Sequence, residues 1–448
     1  MRELLQSVAS RAARYLVEIQ ERRVSPPADA IGRLAGFREP FPGGPAPPED
    51  VVRMLDDLGS PATMGMAGPR FFGFVMGGAL PAALGANWLA SAWHQNAGFF
   101  AETPTSAVLE EVALSWLLDA LALPPGCGGG FVTGATMANF TALAAARHAL
   151  LQRAHWDVEA RGLFGAPEIQ VVVSGEAHPS VTKALGLLGL GRERVVRVPV
   201  DGQGRMRAKS LPELRTPAIV CVQAGNVNTG AFDPVAEIRR RAHAAGAWVH
   251  VDGAFGLWAA ASPRYAHLVE GVAAADSWAT DAHKWLNVPF DSGLAFVRDP
   301  EHLRPAMSLA AAYLPQSARR EPSQYVPELS RRARGIEVWA ALKSLGRSGV
   351  TELIDRNCRF ARRFADGLSA AGFEILNDVV LNQVLVSFGA PENTERTIAA
   401  IQEDGTCWCG RTVWQGSTAM RISVCSWATT EADVDRSLLA MVRIAGSQ

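Results

Sequence analysis

The chain has no surplus of charge of either sign: 43 Lys and Arg face 44 Asp and Glu, a net charge of -1. With that balance nothing draws the whole protein to nucleic acid or to an anionic membrane, and a small molecule is the expected partner. Cysteine is sparse. Six in 448 residues, without regular spacing, argue against a disulfide scaffold and for a reducing compartment, so a cytoplasmic protein is expected. Cys407-Trp408-Cys409 resembles half a metal site, yet no paired Cys/His cluster follows it and no metal is expected. Long apolar runs are missing too. The most lipid-like segment, 79–93, falls short of the ~20 residues a membrane span needs and contains Pro81 and Asn87. The start, 1–23, spaces Leu4, Leu5, Val8, Ala12, Tyr15, Leu16 and Ile19 as an amphipathic helix, unlike the unbroken apolar block of a signal peptide. A soluble protein is the expectation.

What is present is enough chain for one large domain and a smaller one. The boundaries predicted are a helical arm over 1–60, a large α/β domain over 61–310, a mobile connecting segment over 311–345 and a small α+β domain over 346–448. Ser25-Pro26-Pro27 and the Pro/Gly stretch 41–48 are linker chemistry around a short helix at 49–58, so the arm is expected to pack on a partner subunit. From 69 to 100 the chain is crowded with aromatics, Phe74, Phe99 and Phe100 among them; these either fill a core or line a substrate pocket. A helix over 105–121, capped by Thr103 or Thr105, follows. Strand-like runs at 169–174, 194–198, 218–223, 248–252 and 294–298 then alternate with helices at 179–188 and 233–245, a rhythm that predicts a mostly parallel sheet. Helices at 336–346, 351–371 and 430–444 and strands at 383–388 and 420–424 supply the smaller α+β domain.

Ligands of such sheets sit beyond the carboxyl ends of the strands, and several polar residues fall there. Gly128-Gly129-Gly130 and Thr133-Gly134-Ala135-Thr136 lead into an Ala-rich helix expected over 137–151, a helix start that suits a phosphate without matching a Walker A loop or a dinucleotide fingerprint; an ordinary helix start with a hydroxyl cap is the alternative. His178 follows one strand and Asn226 another; either is also an ordinary turn residue. Asp252 ends the run Val249-His250-Val251, where a buried carboxylate is costly unless a cation meets it, and small Gly253-Ala254 leave room for a flat ring. Capping the next turn is the plainer role. Lys284, in Thr280-Asp281-Ala282-His283-Lys284-Trp285, follows a strand-like run. Held among Trp278, Trp285 and Leu286 it would have its charged form disfavoured, and a neutral amine there can form a Schiff base with a carbonyl or with pyridoxal 5'-phosphate (PLP); a helix edge that extends its lysine to water is the plainer alternative.

From about residue 61 to the C-terminus the chain resembles the group II PLP-dependent amino-acid decarboxylases, the aromatic-amino-acid and glutamate decarboxylase group. The resemblance rests on His283-Lys284-Trp285, Val249-His250-Val251-Asp252-Gly253-Ala254 and the stretch from Phe131 to Asn139. It implies fold type I, the aspartate aminotransferase architecture, with PLP joined to Lys284 as an aldimine. Asp252 would pair with the pyridine nitrogen, Ala254 would pack on one ring face and His178 on the other. Ala135 and Thr136 would bind phosphate, helped by His283 and by Asp281, where relatives often carry asparagine; Asn226 stands where they place a threonine. Arg421 looks like the arginine that meets the substrate carboxylate, or else a surface ion pair. The segment 315–328 resembles a shortened catalytic loop with Tyr325 as its proton donor, and Ser330-Arg331-Arg332-Ala333-Arg334-Gly335 resembles the stretch that reaches a neighbouring subunit's phosphate, which implies a homodimer. Gly98 replaces a bulky pocket residue, while Phe74, Phe99 and Phe100 keep the region apolar. The activity implied is decarboxylation of an L-amino acid with an aromatic or apolar side chain. Aldehyde-forming oxidative decarboxylation, another lyase reaction and transamination on the same scaffold remain the alternatives.

Overall fold

The structure is a computed structural model that describes residues 1–308 and 319–447. Its large sheet has seven strands: β1 (Gly128–Val132), β2 (Gln170–Ser174), β3 (Val196–Val198), β4 (Ala218–Gln223), β5 (Trp248–Asp252), β6 (Ser277–Asp281) and β7 (Gly293–Val297). They lie in the order β1-β7-β6-β5-β4-β2-β3. The run from β3 to β6 is parallel, and β7 is antiparallel to both of its neighbours. This mostly parallel sheet with helical connections is fold type I, as expected. Every residue of β1 and of β4 to β7 is buried, the pattern of a sheet covered on both faces, and it explains the continuous Val/Ile/Cys run of β4.

The chain forms two compact units. One comprises Ala79–Arg359 and Asn377–Gln383 and carries the large sheet; the other comprises Met1–Gly78, Phe360–Leu376 and Val384–Gln448. The second unit therefore gathers the N-terminal residues with the C-terminal ones, and its border falls inside the long helical stretch Gly335–Ala370 rather than at 346. That stretch contains a break at Gly346, whose φ of 59° is costly for any residue with a Cβ, so it is two helices as the sequence suggests. The smaller sheet follows the order β10-β11-β9-β8, from β8 (Glu374–Ile375), β9 (Gln383–Ser387), β10 (Gly410–Trp414) and β11 (Ser417–Ser423). Cys407 and Cys409 are both buried, and the Trp408 ring between them stacks on Phe71 at 5.0 Å and on Phe74 at 5.4 Å. None of the described helices is long and apolar enough to cross a membrane.

The glycine triplet that reads as part of a phosphate-binding lead-in is instead strand β1. Close packing is the reason for its composition: a Cβ on Gly129 would strike Leu114, and one on Gly130 would strike the carbonyl oxygen of Tyr325. The helix that follows runs Ala135–Arg153, longer at both ends than expected, and 13 of its residues are buried under the sheet. A helix so thoroughly buried shows little amphipathic contrast from which its ends could be read.

Two more glycines bring strand ends together. A Cβ on Gly293 would strike the Gly134 backbone, and one on Gly256 would strike the carbonyl of Ala224. Gly225, with φ of 94°, lies against Gly256 in the same contact. The loops after β4 and β5 can approach only because these positions lack side chains. Gly256→Ala is expected to cost about 1–3 kcal/mol through forced backbone displacement, read as a lowered melting temperature; an unchanged melt would contradict this packing.

Candidate active site

Parallel pairing delivers the site. Asp252 is the last residue of β5 and Asp281 the last of β6; Asp252 pairs in register with Gln223 on one side and Ala279 on the other. Residues just past these strand ends therefore emerge together: Asn226 after β4, Gly253-Ala254 after β5 and His283-Lys284 after β6. His178 comes from the turn after β2 and caps the helix Pro179–Leu187 through its ring, Nδ1 accepting the Ser180 backbone N–H at 3.2 Å.

Asp252 is 5% exposed. Burial pushes its carboxyl above the usual carboxylate range, while the charges of His178 and Lys284, the Ala254 N–H and the Asn139 amide pull it back down. The Ala254 N–H donates to Oδ1 at 3.2 Å and Asn139 Nδ2 to Oδ2 at 3.4 Å. A carboxylate desolvated this far and only partly compensated is prepared for one more cation.

Lys284 Nζ lies 3.0 Å from Asp281 Oδ2. A carboxylate thus meets the amine that the sequence suggests is desolvated among tryptophans. The other oxygen of Asp281, Oδ1, accepts the Ala135 N–H at 2.6 Å, at the start of the Ala135–Arg153 helix where backbone donors have no internal partners. His283 is 3.7 Å from Asp281, its Nδ1 accepts the Ser292 N–H at 3.2 Å, and its ring leans on Phe290. Burial lowers the His283 pKa, and the Asp281 carboxylate opposes that shift. Asn226 uses Oδ1 to accept the N–H groups of Asn228 and Thr229, while its buried Nδ2 has no partner among the described residues.

The remaining expected members have contacts of their own. Tyr325 ends a short 3-10 turn, Pro322–Tyr325; Arg320 lies over its ring at 4.4 Å, and the ring packs on the apolar cluster that includes Leu150, Val297 and Leu303. Among the described residues no contact joins it to Lys284, and its surroundings are those of a packing residue. Part of the segment in which it was expected to act, 315–318, lies outside the described residues. The basic run after exposed Ser330 is spent internally. Arg331 pairs with buried Glu110 at 2.9 Å and donates to the carbonyls of Ala97 and Phe131, Arg334 pairs with Asp291 at 2.9 Å, and Arg332 pairs with Glu337. Burial resists ionisation of Glu110, yet Arg331 and Arg320 together hold its carboxyl below its usual range. Phe99 is buried, and Arg319 lies over the ring of Phe100 at 4.3 Å. In the other unit, Phe74 is 54% exposed, and burial lowers the pKa of Arg421, a β11 residue opposite Gly410.

A set of buried polar residues without an expected role lies beneath the strand ends. Trp248 Nε1 donates to Ser277 Oγ at 2.9 Å; Ser277 Oγ meets His250 Nδ1 at 2.9 Å; His250 Nε2 meets Asn139 Oδ1 at 2.8 Å. Asn139 reaches Asp252 and also Ser180 Oγ, at 3.3 Å, which in turn contacts His178 Nδ1 at 2.8 Å. A signal was available: His250 stands two residues before Asp252 on one strand, so the two share a face.

Residues 46–390 match the model of the pyridoxal-dependent decarboxylase conserved domain. The chain is 27% identical over 383 residues to the aromatic-L-amino-acid decarboxylase of Bacillus atrophaeus, covering 81% of this chain and 76% of that protein. It is 30% identical over 323 residues to the acidic amino acid decarboxylase GADL1 of Mus musculus, covering 69% of this chain and 58% of that protein. In fold it is similar to the crystal structure of Oryza sativa TDC with PLP and tryptamine, with a TM-score of 0.92 at 23% identity, over 100% of this chain and 97% of that one.

What the strand ends leave unsatisfied fits PLP. The under-compensated carboxylate of Asp252 suits a protonated ring nitrogen, and the Lys284 amine suits an aldehyde. The unpartnered Nδ2 of Asn226 suits an acceptor on the ring. Thr136 and Met137 stand in the first turn of the long helix, where N–H groups lack internal acceptors and suit a phosphate.

His250 makes a pH prediction. Burial pushes its pKa down from 6.5 to about 3, so the folded protein declines a proton that the unfolded chain accepts. Its effect is absent above about pH 6.5, and stability falls as the pH drops toward 3, at up to about 1.4 kcal/mol per pH unit. Between pH 7 and 5 the melting temperature of His250→Gln should therefore fall less steeply than that of the wild type; equal slopes would contradict a neutral buried imidazole.

Proposed function

Because the chain belongs to the pyridoxal-dependent decarboxylase family, we propose that this PLP-dependent amino-acid decarboxylase acts on an L-amino acid with an aromatic or apolar side chain, releasing the amine and CO2. The observation that carries the reading is the convergence of Lys284 and Asp252 from adjacent parallel strands, with a helix start beside them. The buried Phe99, and aromatic substrates in the names of relatives, support the side-chain preference.

When bound, PLP supplies an electron-poor ring able to accept the electron pair left at Cα as CO2 departs. The protein's part is to hold, orient and exclude. Lys284 would be the residue that holds the aldehyde end of PLP, and Asp281 Oδ2, 3.0 Å from its Nζ, orients that side chain. Asp252, ionised, keeps a proton on the ring nitrogen and so maintains the ring's electron demand. His178 and Ala254 would hold the ring from its two sides and so orient the substrate bound to it. Ala135, Thr136, Asp281 and His283 hold the phosphate end with Ser330 of the second subunit, and Asn226 donates to the ring's substituent. Phe99 and Phe100 would bound the side-chain pocket. Tyr325 would be the proton donor supplied by the segment 315–328.

The working unit in this reading is a cytoplasmic homodimer. Support comes from the helix Arg2–Glu18, which buries none of its residues and leaves Leu5 and Val17 more than half exposed. The six free cysteines support a reducing compartment.

A panel of L-amino acids assayed for CO2, with the organic product identified, tests the reaction. The expected result is amine and CO2, in equal amounts, from aromatic or apolar substrates; aldehyde with peroxide and ammonia, or a keto acid, would contradict it. Borohydride reduction should attach one PLP to the wild type and none to Lys284→Ala, which should also show no detectable turnover.

A further inference from the structure

The polar side chains beneath the strand ends can donate in one direction only. Asn139 Oδ1 is solely an acceptor, so His250 Nε2, 2.8 Å away, carries the proton it donates. A neutral ring protonated at Nε2 leaves Nδ1 to accept, and Ser277 supplies the O–H at 2.9 Å. Ser277 Oγ accepts in turn from Trp248 Nε1. With its oxygen committed to His250, the Asn139 amide turns its NH2 toward Asp252 Oδ2 at 3.4 Å and Ser180 Oγ at 3.3 Å. The reverse arrangement sets two N–H donors on Ser277 Oγ and points the Asn139 oxygen at the Asp252 carboxylate. Asn139 and His250 are both fully buried, so no water is at hand to repair that arrangement.

We infer that His250, backed by Ser277, is a positioning residue that locks the Asn139 amide with its NH2 facing Asp252, and so keeps that carboxylate the anion the cofactor's ring nitrogen requires. At 3.4 Å the amide acts on Asp252 chiefly through the direction of its dipole. Reversing the dipole replaces a donor by an oxygen, and burial then favours the neutral acid. The inference rests on the pairing of Asp252 with the ring nitrogen proposed above, and it adds residues two layers away from the cofactor.

Titration of apoprotein with PLP, followed by the absorbance of the bound cofactor and its pH dependence, tests it on four variants. His250→Phe keeps a ring but no donor; PLP should bind about tenfold or more weakly, the scale of one hydrogen bond to a charged group, and the pH at which the bound cofactor changes colour should move. His250→Gln can still donate to Asn139 Oδ1, and should bind within about threefold of wild type by the same reckoning. Asn139→Asp still accepts from His250 but sets a carboxyl against Asp252, and should weaken PLP at least as much as His250→Phe. Wild-type affinity and spectrum in folded His250→Phe, or in Asn139→Asp should the former not fold, would overturn the inference, as would a Gln variant no better than Phe. Asp252→Asn separates the two levels. If it alters the spectrum while His250→Phe does not, only the role of His250 falls; if it leaves the spectrum unchanged, the pairing of Asp252 falls and the inference with it.

Discussion

A single carboxylate placed where water cannot reach it governs the organisation of this site. Asp252 ends a strand buried along its whole length, and in that position a carboxyl group favours the neutral acid. The surroundings work against that tendency without abolishing it: a backbone N–H, one amide, and the charges of a lysine past β6 and a histidine past β2. Full compensation inside the protein would leave the group nothing to offer a ligand. Partial compensation leaves it suited to a cationic partner, which is the place the proposed site gives to the cofactor's ring.

The same logic runs through the second acidic residue. Asp281 sits at a helix start that would attract any anion, and it is held there by an N–H on one side and an ammonium on the other. This carboxylate satisfies the two groups that the proposed site assigns to the phosphate and aldehyde ends of PLP. The glycines around the site keep it compact, because Gly293 lets β7 lie against Gly134 and Gly256 lets the loop after β5 lie against Ala224.

Much of this was legible in the sequence. The runs 218–223 and 248–252 coincide with β4 and β5, since fully buried parallel strands read as unbroken apolar stretches and turn signals bound them. Lys284, Asp252 and His178 could be picked out because each is a polar residue just past such a run. What could not be read was pairing between distant parts of the chain. Arg331 and Arg334 stand in a basic run whose resemblance points to a neighbouring subunit, and only the fold reveals Glu110 and Asp291 as their partners. Three successive glycines suggest a loop until Leu114 and Tyr325 are seen pressing on them. β10 is half-exposed at a sheet edge, with Arg411 and Thr412 in a strand that lacks apolar contrast. The chain from Trp248 to Asp252 was hidden for a different reason: buried Asn, Ser and His side chains fit ordinary packing until their hydrogen bonds are traced from end to end.

The central claim is that Asp252 holds the ring nitrogen of the cofactor in its protonated form. Nitrogen-15 NMR of the enzyme loaded with PLP labelled at that nitrogen reports the protonation state directly. The account predicts a pyridinium chemical shift throughout the neutral pH range in the wild type, replaced by a neutral pyridine shift in Asp252→Asn. A neutral pyridine signal in the wild-type enzyme would contradict it.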